Sequence, residues 1–162
     1  MTFRFLVSLL LLAFVMPGHA QLKEQGEEVG RNLYLVGAEF GLIEQDSAGA
    51  VTIKAVDKVP LTPGQVYGWR LKFRTKRQSL SLREEVQLPI APKSWSNNIP
   101  DAEFKVSPDG RTGITKADAV LVDGALMNAW AVAEGDPPGQ YEIRLFIDGR
   151  LVRTFKFEAV AK

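Results

Sequence analysis

In Trp69-Arg70-Leu71-Lys72-Phe73-Arg74, large apolar and charged residues alternate one for one. A strand turns successive side chains to opposite faces, so this spacing predicts a strand with Trp69, Leu71 and Phe73 in the core and Arg70, Lys72 and Arg74 toward water. Tyr141, Ile143, Leu145 and Ile147 repeat the period, and Asp148-Gly149 then supplies the residues of a tight type I′ turn, with the chain returning through Leu151, Thr154, Phe155 and Phe157. No long stretch repeats at 3.6 residues. Strands are predicted at 33–43, 50–56, 66–74, 80–88, 103–106, 113–122, 126–133, 141–148 and 151–159, and Pro60, Pro63, Pro89, Pro92, Pro100 and Pro108 fall between them, as do Pro137 and Pro138. Short strands separated by turn signals specify an all-β sandwich or barrel.

The N-terminus has the layout of a secretory leader: Arg4, an apolar run over 5–15, then Gly18 and Ala20 as the small residues before a cut. The run is too short for the roughly 20 residues of a membrane-spanning helix, so the expectation is cleavage after Ala20 and no membrane insertion afterwards. The predicted organisation is a signal peptide over 1–20, a loosely held polar segment over 21–32 and one domain over 33–162, in the periplasm or secreted. The leader removes Arg4, which leaves 19 basic residues against 19 acidic ones. Such balance gives no global pull toward nucleic acid or an anionic membrane.

The sole histidine, His19, departs with the leader, and the chain has no cysteine. Without either, a Ser-His-Asp or Cys-His arrangement lacks its base or nucleophile, and zinc, copper and haem lack their usual ligands. No cofactor is expected. Carboxylate pairs remain chemically open at Glu24, Glu27 and Glu28, at Glu84 and Glu85, and at Asp101 and Glu103; the competing reading of each is a solvated face. Asp109, Asp123 and Asp148 each stand alone before a glycine, the pattern of a turn rather than of a calcium loop.

Asn128-Ala129-Trp130, Gly135-Asp136-Pro137-Pro138-Gly139-Gln140-Tyr141, Ile147-Asp148-Gly149 and Phe155-Lys156-Phe157 resemble the closing hairpin of immunoglobulin-like domains. With Glu39-Phe40-Gly41-Leu42-Ile43-Glu44, Val59-Pro60, Val66-Tyr67-Gly68-Trp69 and Leu88-Pro89, the stretch 34–160 resembles a family of bacterial exported proteins described only as a domain of unknown function. The resemblance implies an immunoglobulin-like β-sandwich of about 8 strands, and it carries over no catalytic residue. Tyr141 sits where a tyrosine-corner residue would, but the paired cysteines of antibody domains are missing.

Two binding features stand out. Arg70, Lys72 and Arg74 share one strand face and, with Lys76, Arg77 and later Arg83, make a basic stripe suited to phosphate, acidic polysaccharide or an acidic protein surface; the competing reading is a charged face that deters edge pairing. Trp95, with Asn97 and Asn98 in the loop 90–101, is either a partner or sugar contact or a lid folded over one end of the core. The resulting expectation is a non-catalytic binding or structural module with another envelope protein as partner. A glycan-binding module built on Trp95, Asn97 and Asn98 is the first alternative, and a carboxylate-based hydrolase the second.

Overall fold

The structure, a computed structural model, describes residues 26–96, 99 and 101–161. The predicted leader and the start of the polar segment lie outside the described residues, as do Asn97 and Asn98. Eleven strands form two facing sheets. The first is organised on β2 (Leu33–Gln45), flanked on one side by β5 (Val66–Arg74) and then β9 (Ala125–Ala131). On its other side β1 (Glu27–Gly30) pairs with the beginning of β2 and β3 (Val51–Ala55) with its end. The second sheet runs β4 (Lys58–Pro60), β11 (Arg150–Val160), β10 (Gly139–Ile147), β6 (Ser79–Gln87), β8 (Thr112–Val120), β7 (Glu103–Val106). Among the described residues only the β4–β11 pairing is parallel.

The alternation read from the sequence is the alternation that packs. Trp69, Leu71 and Phe73 from β5 meet Tyr141, Ile143, Leu145 and Ile147 from β10 in one core, all of them buried. In β2 the parity changes midway. Leu33 and Leu35 point inward, the register shifts between Leu35 and Gly37, and beyond the shift Ala38, Phe40 and Leu42 stand opposite Leu71, Trp69 and Tyr67. A bulge adds one residue and so moves the inward set from odd to even positions. Between the sheets Phe40 stacks on Phe157 at 4.7 Å, and Phe157 meets Tyr67 and Tyr141 at 5.3 and 5.2 Å.

Three expectations are corrected. The described residues form eleven strands, two more than the nine ranges read from the sequence, because β1 and β4, too short to show a period, form by pairing with longer neighbours. The polar segment is therefore not loose throughout: 27–30 is a strand, anchored by buried Val29. Pro60 lies within a strand rather than between strands, at the end of β4, where an outermost strand tolerates the missing donor.

The C-terminal hairpin turns at Asp148 and Gly149, with φ of 49° and 79°, the left-handed pair that a type I′ turn needs. The Tyr141 hydroxyl donates to the carbonyl of Pro137 at 2.8 Å, four residues upstream, as a tyrosine corner does. Gly68 leaves no room for a side chain between β5 and β9: a Cβ there would come within 2.2 Å of the Asn128 carbonyl oxygen.

Candidate functional site

The carboxylates of Glu84 and Glu85 are separated by the period of β6. Glu84 points between the sheets and is completely buried. Its Oε1 accepts from Trp69 Nε1 at 2.7 Å and Trp130 Nε1 at 3.1 Å, and its Oε2 accepts from Asn128 Nδ2 at 2.7 Å. Those donors belong to β5 and β9 in the opposite sheet, so this carboxylate pins the two sheets together through the core. Burial raises its pKa, and the three donors partly offset that by favouring the ionised form. Glu85 lies on the outer face, ion-paired with Arg83 and Arg144, the latter at 2.9 Å. Arg83 also stacks its guanidinium 3.6 Å from the centre of the Phe146 ring, which accounts for an aromatic on the polar face of β10. The two acids face opposite sides of a sheet and cannot flank one substrate. The solvated-face reading fails for Glu84, because a carboxylate with three fixed donors can be held in a core.

Trp95 folds back. Its Nε1 donates to the Gly110 carbonyl at 2.9 Å, and its ring lies over Gly113 and tilts against Phe104 at 6.3 Å. A side chain at Gly113 would fill the space the indole occupies, with a Cβ 2.7 Å from the ring. Of the two readings of Trp95, the lid describes its placement: the half-buried indole covers one end of the core and its donor is engaged.

Arg70, Lys72 and Arg74 do share the outer face of β5, but they are not an open row. Arg70 pairs with Glu39 across β2 at 2.6 Å, and the Arg74 guanidinium sits 4.8 Å from the centre of the Tyr34 ring. Lys72 stands opposite Gly37 in β2 and Ala125 in β9, neither of which offers it a charge. The stripe continues into Lys76 and Arg77, as the sequence run indicates, but the contribution of Arg31 and Tyr34 was not legible beforehand. At the end of the sandwich the β1–β2 turn and the β5–β6 connection enclose a groove of about 660 Å³, lined by Arg31, Tyr34, Arg74, Lys76 and Arg77, with Asn32 and Thr75 between them. No acid is in this lining. Arg77 reaches across to the hairpin turn and holds Asp148 with both terminal nitrogens, one at 3.0 Å. The pair lowers the pKa of Asp148 and raises that of Arg77 through the shared hydrogen bonds.

The turn at 121–124 and the β10–β11 turn complete this end. The four connections and the strand ends beside them carry Arg31, Arg74, Lys76, Arg77 and Arg150 with three acids, Asp123, Asp148 and Glu28, the last opposite Tyr34 at the level of Arg74. The far end, at 46–50, 107–111 and 133–138, carries Asp46, Asp109, Glu134 and Asp136, with Arg111 and the nearby Lys93 as its cations. A chain with balanced charge is thus polarised along its strands, basic at one end and acidic at the other.

Two sheets packed face to face and a tyrosine-corner hydrogen bond define an immunoglobulin-like β-sandwich, in which a buried carboxylate joins the sheets. The chain belongs to the PM0630 beta sandwich domain family, whose model matches residues 38–160. An immunoglobulin-like protein from Pseudomonas aeruginosa, 19% identical, has a similar fold with a TM-score of 0.54, over 82% of this chain and 100% of that one. An alkylpurine DNA glycosylase from Pseudomonas fluorescens bound to abasic-site DNA is 7% identical over 75% of this chain and 30% of its own, with a TM-score of 0.38; it bears on neither fold nor function. A search of curated proteins returned no match.

Proposed function

We propose that this chain is an exported, non-catalytic binding module of the cell envelope whose working surface is the basic loop end of the sandwich. The groove carries the proposal: it is large enough to receive part of a partner, and it gathers cations without an acid in its lining. The buried carboxylate supports a role in binding rather than in catalysis, since Glu84 spends its oxygens on three core donors. The leader pattern supports export.

Affinity capture from the envelope of the producing cell tests this, with the wild-type protein beside Arg31→Glu/Lys76→Glu and Trp95→Ala variants. The charge reversal abolishes capture and Trp95→Ala leaves it unchanged for a correctly folded bait. Capture indifferent to the charge reversal refutes the basic end as the working surface.

A further inference from the structure

The basic end also holds the two most exposed large apolar side chains among the described residues, Val120 and Val122, while Ile90, at the far end, follows at 61%. Val120 and Val122, beside the turn at 121–124, are 68% and 70% exposed, and Leu151, just after the β10–β11 turn, is 54% exposed. Val120 closes β8, Val122 lies just beyond it next to Asp123, and Leu151 follows Arg150 at the start of β11, so these side chains share the end of the sandwich that carries Arg31, Lys76 and Arg150. The valines and the leucine match an acyl boundary, and the cations match a layer of phosphate headgroups. A water-facing role explains the cations but leaves the apolar tips uncovered.

We infer that the basic end docks peripherally on an anionic lipid surface, with Val120, Val122 and Leu151 entering the headgroup boundary while Arg31, Lys76 and Arg150 contact lipid phosphates. This rests on the basic end being the working surface and names what it meets. The acidic far end points away from the bilayer, so the charge polarity of the domain orients it before contact. Arg77 stays bound to Asp148, which holds the β5–β6 connection against the hairpin turn and keeps the tips together. No segment spans the bilayer in this arrangement: among the described residues no helix is long and apolar enough to cross one.

The test is co-sedimentation of the protein recovered from a periplasmic extract, its N-terminus read by mass spectrometry, with phosphatidylglycerol-containing or pure phosphatidylcholine vesicles. It binds the anionic vesicles and not the neutral ones. The binding falls steeply between about 0.1 M and about 1 M salt, as the Debye length shrinks from about 10 Å to about 3 Å. Each cation near the surface contributes about fivefold, so Arg31→Ala/Lys76→Ala/Arg150→Ala weakens binding about 100-fold. Val120→Ser/Val122→Ser weakens it about tenfold through lost apolar burial. The equally charged control Lys54→Ala/Lys105→Ala/Lys156→Ala, away from this end, binds as wild type. Failure of the folded protein to bind anionic vesicles, equal binding to both vesicles, or equal loss in the control overturns the inference. If the charge-reversed bait loses a protein partner while wild type ignores vesicles, the working surface stands and the lipid assignment falls. Salt-sensitive self-association without vesicle binding assigns the basic end to the acidic end of a second copy and overturns it too.

Discussion

Replacing Glu84 with alanine removes the acceptor shared by Trp69, Trp130 and Asn128 and leaves three buried donors without a partner. Each such donor costs about 1–3 kcal/mol, so the loss is about 3–9 kcal/mol before any cavity contribution. A domain of this kind has a total stability of about 5–15 kcal/mol, so Glu84→Ala should be largely unfolded or close to it. Glu84→Leu fills the volume but leaves the same donors unmet, and should still lose at least about 3 kcal/mol. Glu84→Gln keeps a carbonyl for the two indoles and, with the Asn128 amide turned over, offers its own NH₂ to the Asn128 oxygen; its cost should be under about 1 kcal/mol. The pH dependence separates charge from shape. The folded-state pKa of Glu84 is raised above its ordinary 4.5. Its favourable contribution is therefore complete below that value and is lost as pH rises through the folded pKa. Asp148, Glu103 and Asp109 have lowered pKa values, so their contributions are complete above their ordinary values of 3.8 to 4.5 and decline only as pH falls below those, at the acid edge of this window. Urea unfolding from about pH 4 to about pH 8 should show wild-type stability falling with pH and the Glu84→Gln curve lacking that fall. A Glu84→Leu protein as stable as wild type, or an unchanged pH slope in Glu84→Gln, would refute the pin.

Tyr141→Phe should cost about 1–2 kcal/mol in denaturant titration, because the buried Pro137 carbonyl loses its donor. Trp95→Ala should cost about 2 kcal/mol, by loss of half-buried packing on Gly113 and Phe104 and of the bond to Gly110, with envelope capture unaltered. For Gly68→Ala, calorimetry should register a melting temperature many degrees lower, since the new methyl group meets the Asn128 carbonyl and parts β5 from β9 beside the pin. In alkaline titration the buried phenols of Tyr67 and Tyr141, whose pKa values lie above the ordinary 10.0, favour folding below that value and stop doing so as pH passes their folded values. Their tyrosinate absorbance should therefore appear together with loss of circular dichroism, and its appearance in a fully folded protein would contradict their burial.

The inward faces of β5 and β10 were legible because one residue in two is large and apolar along each, and the Asp148-Gly149 turn because both residues suit positive φ. The parity change in β2 was hidden. Nothing in Leu33-Tyr34-Leu35-Val36-Gly37-Ala38 marks Val36 as the extra residue until β5 is laid alongside. Strands β1 and β4 draw their order from neighbours distant in sequence. Glu84 was the harder case, because its burial depends on indole and amide donors 15 to 46 residues away. One local sign existed: Leu80, Leu82, Glu84 and Val86 hold a single parity, so the strand period alone places that acid inward. The basic groove combines Arg31 with Arg74, Lys76 and Arg77 from separate turns, and only the pairing of Tyr34 with Arg74 brings them together.

The central claim, that the domain works through its basic loop end, is tested most directly by site-specific photocrosslinking in intact producing cells. A crosslinking residue is placed at Lys76 in one variant and at Glu134, on the acidic end, in another. Adducts with envelope components from position 76 and none from position 134 are the predicted result. Adducts from position 134 alone, or equally from both, contradict it.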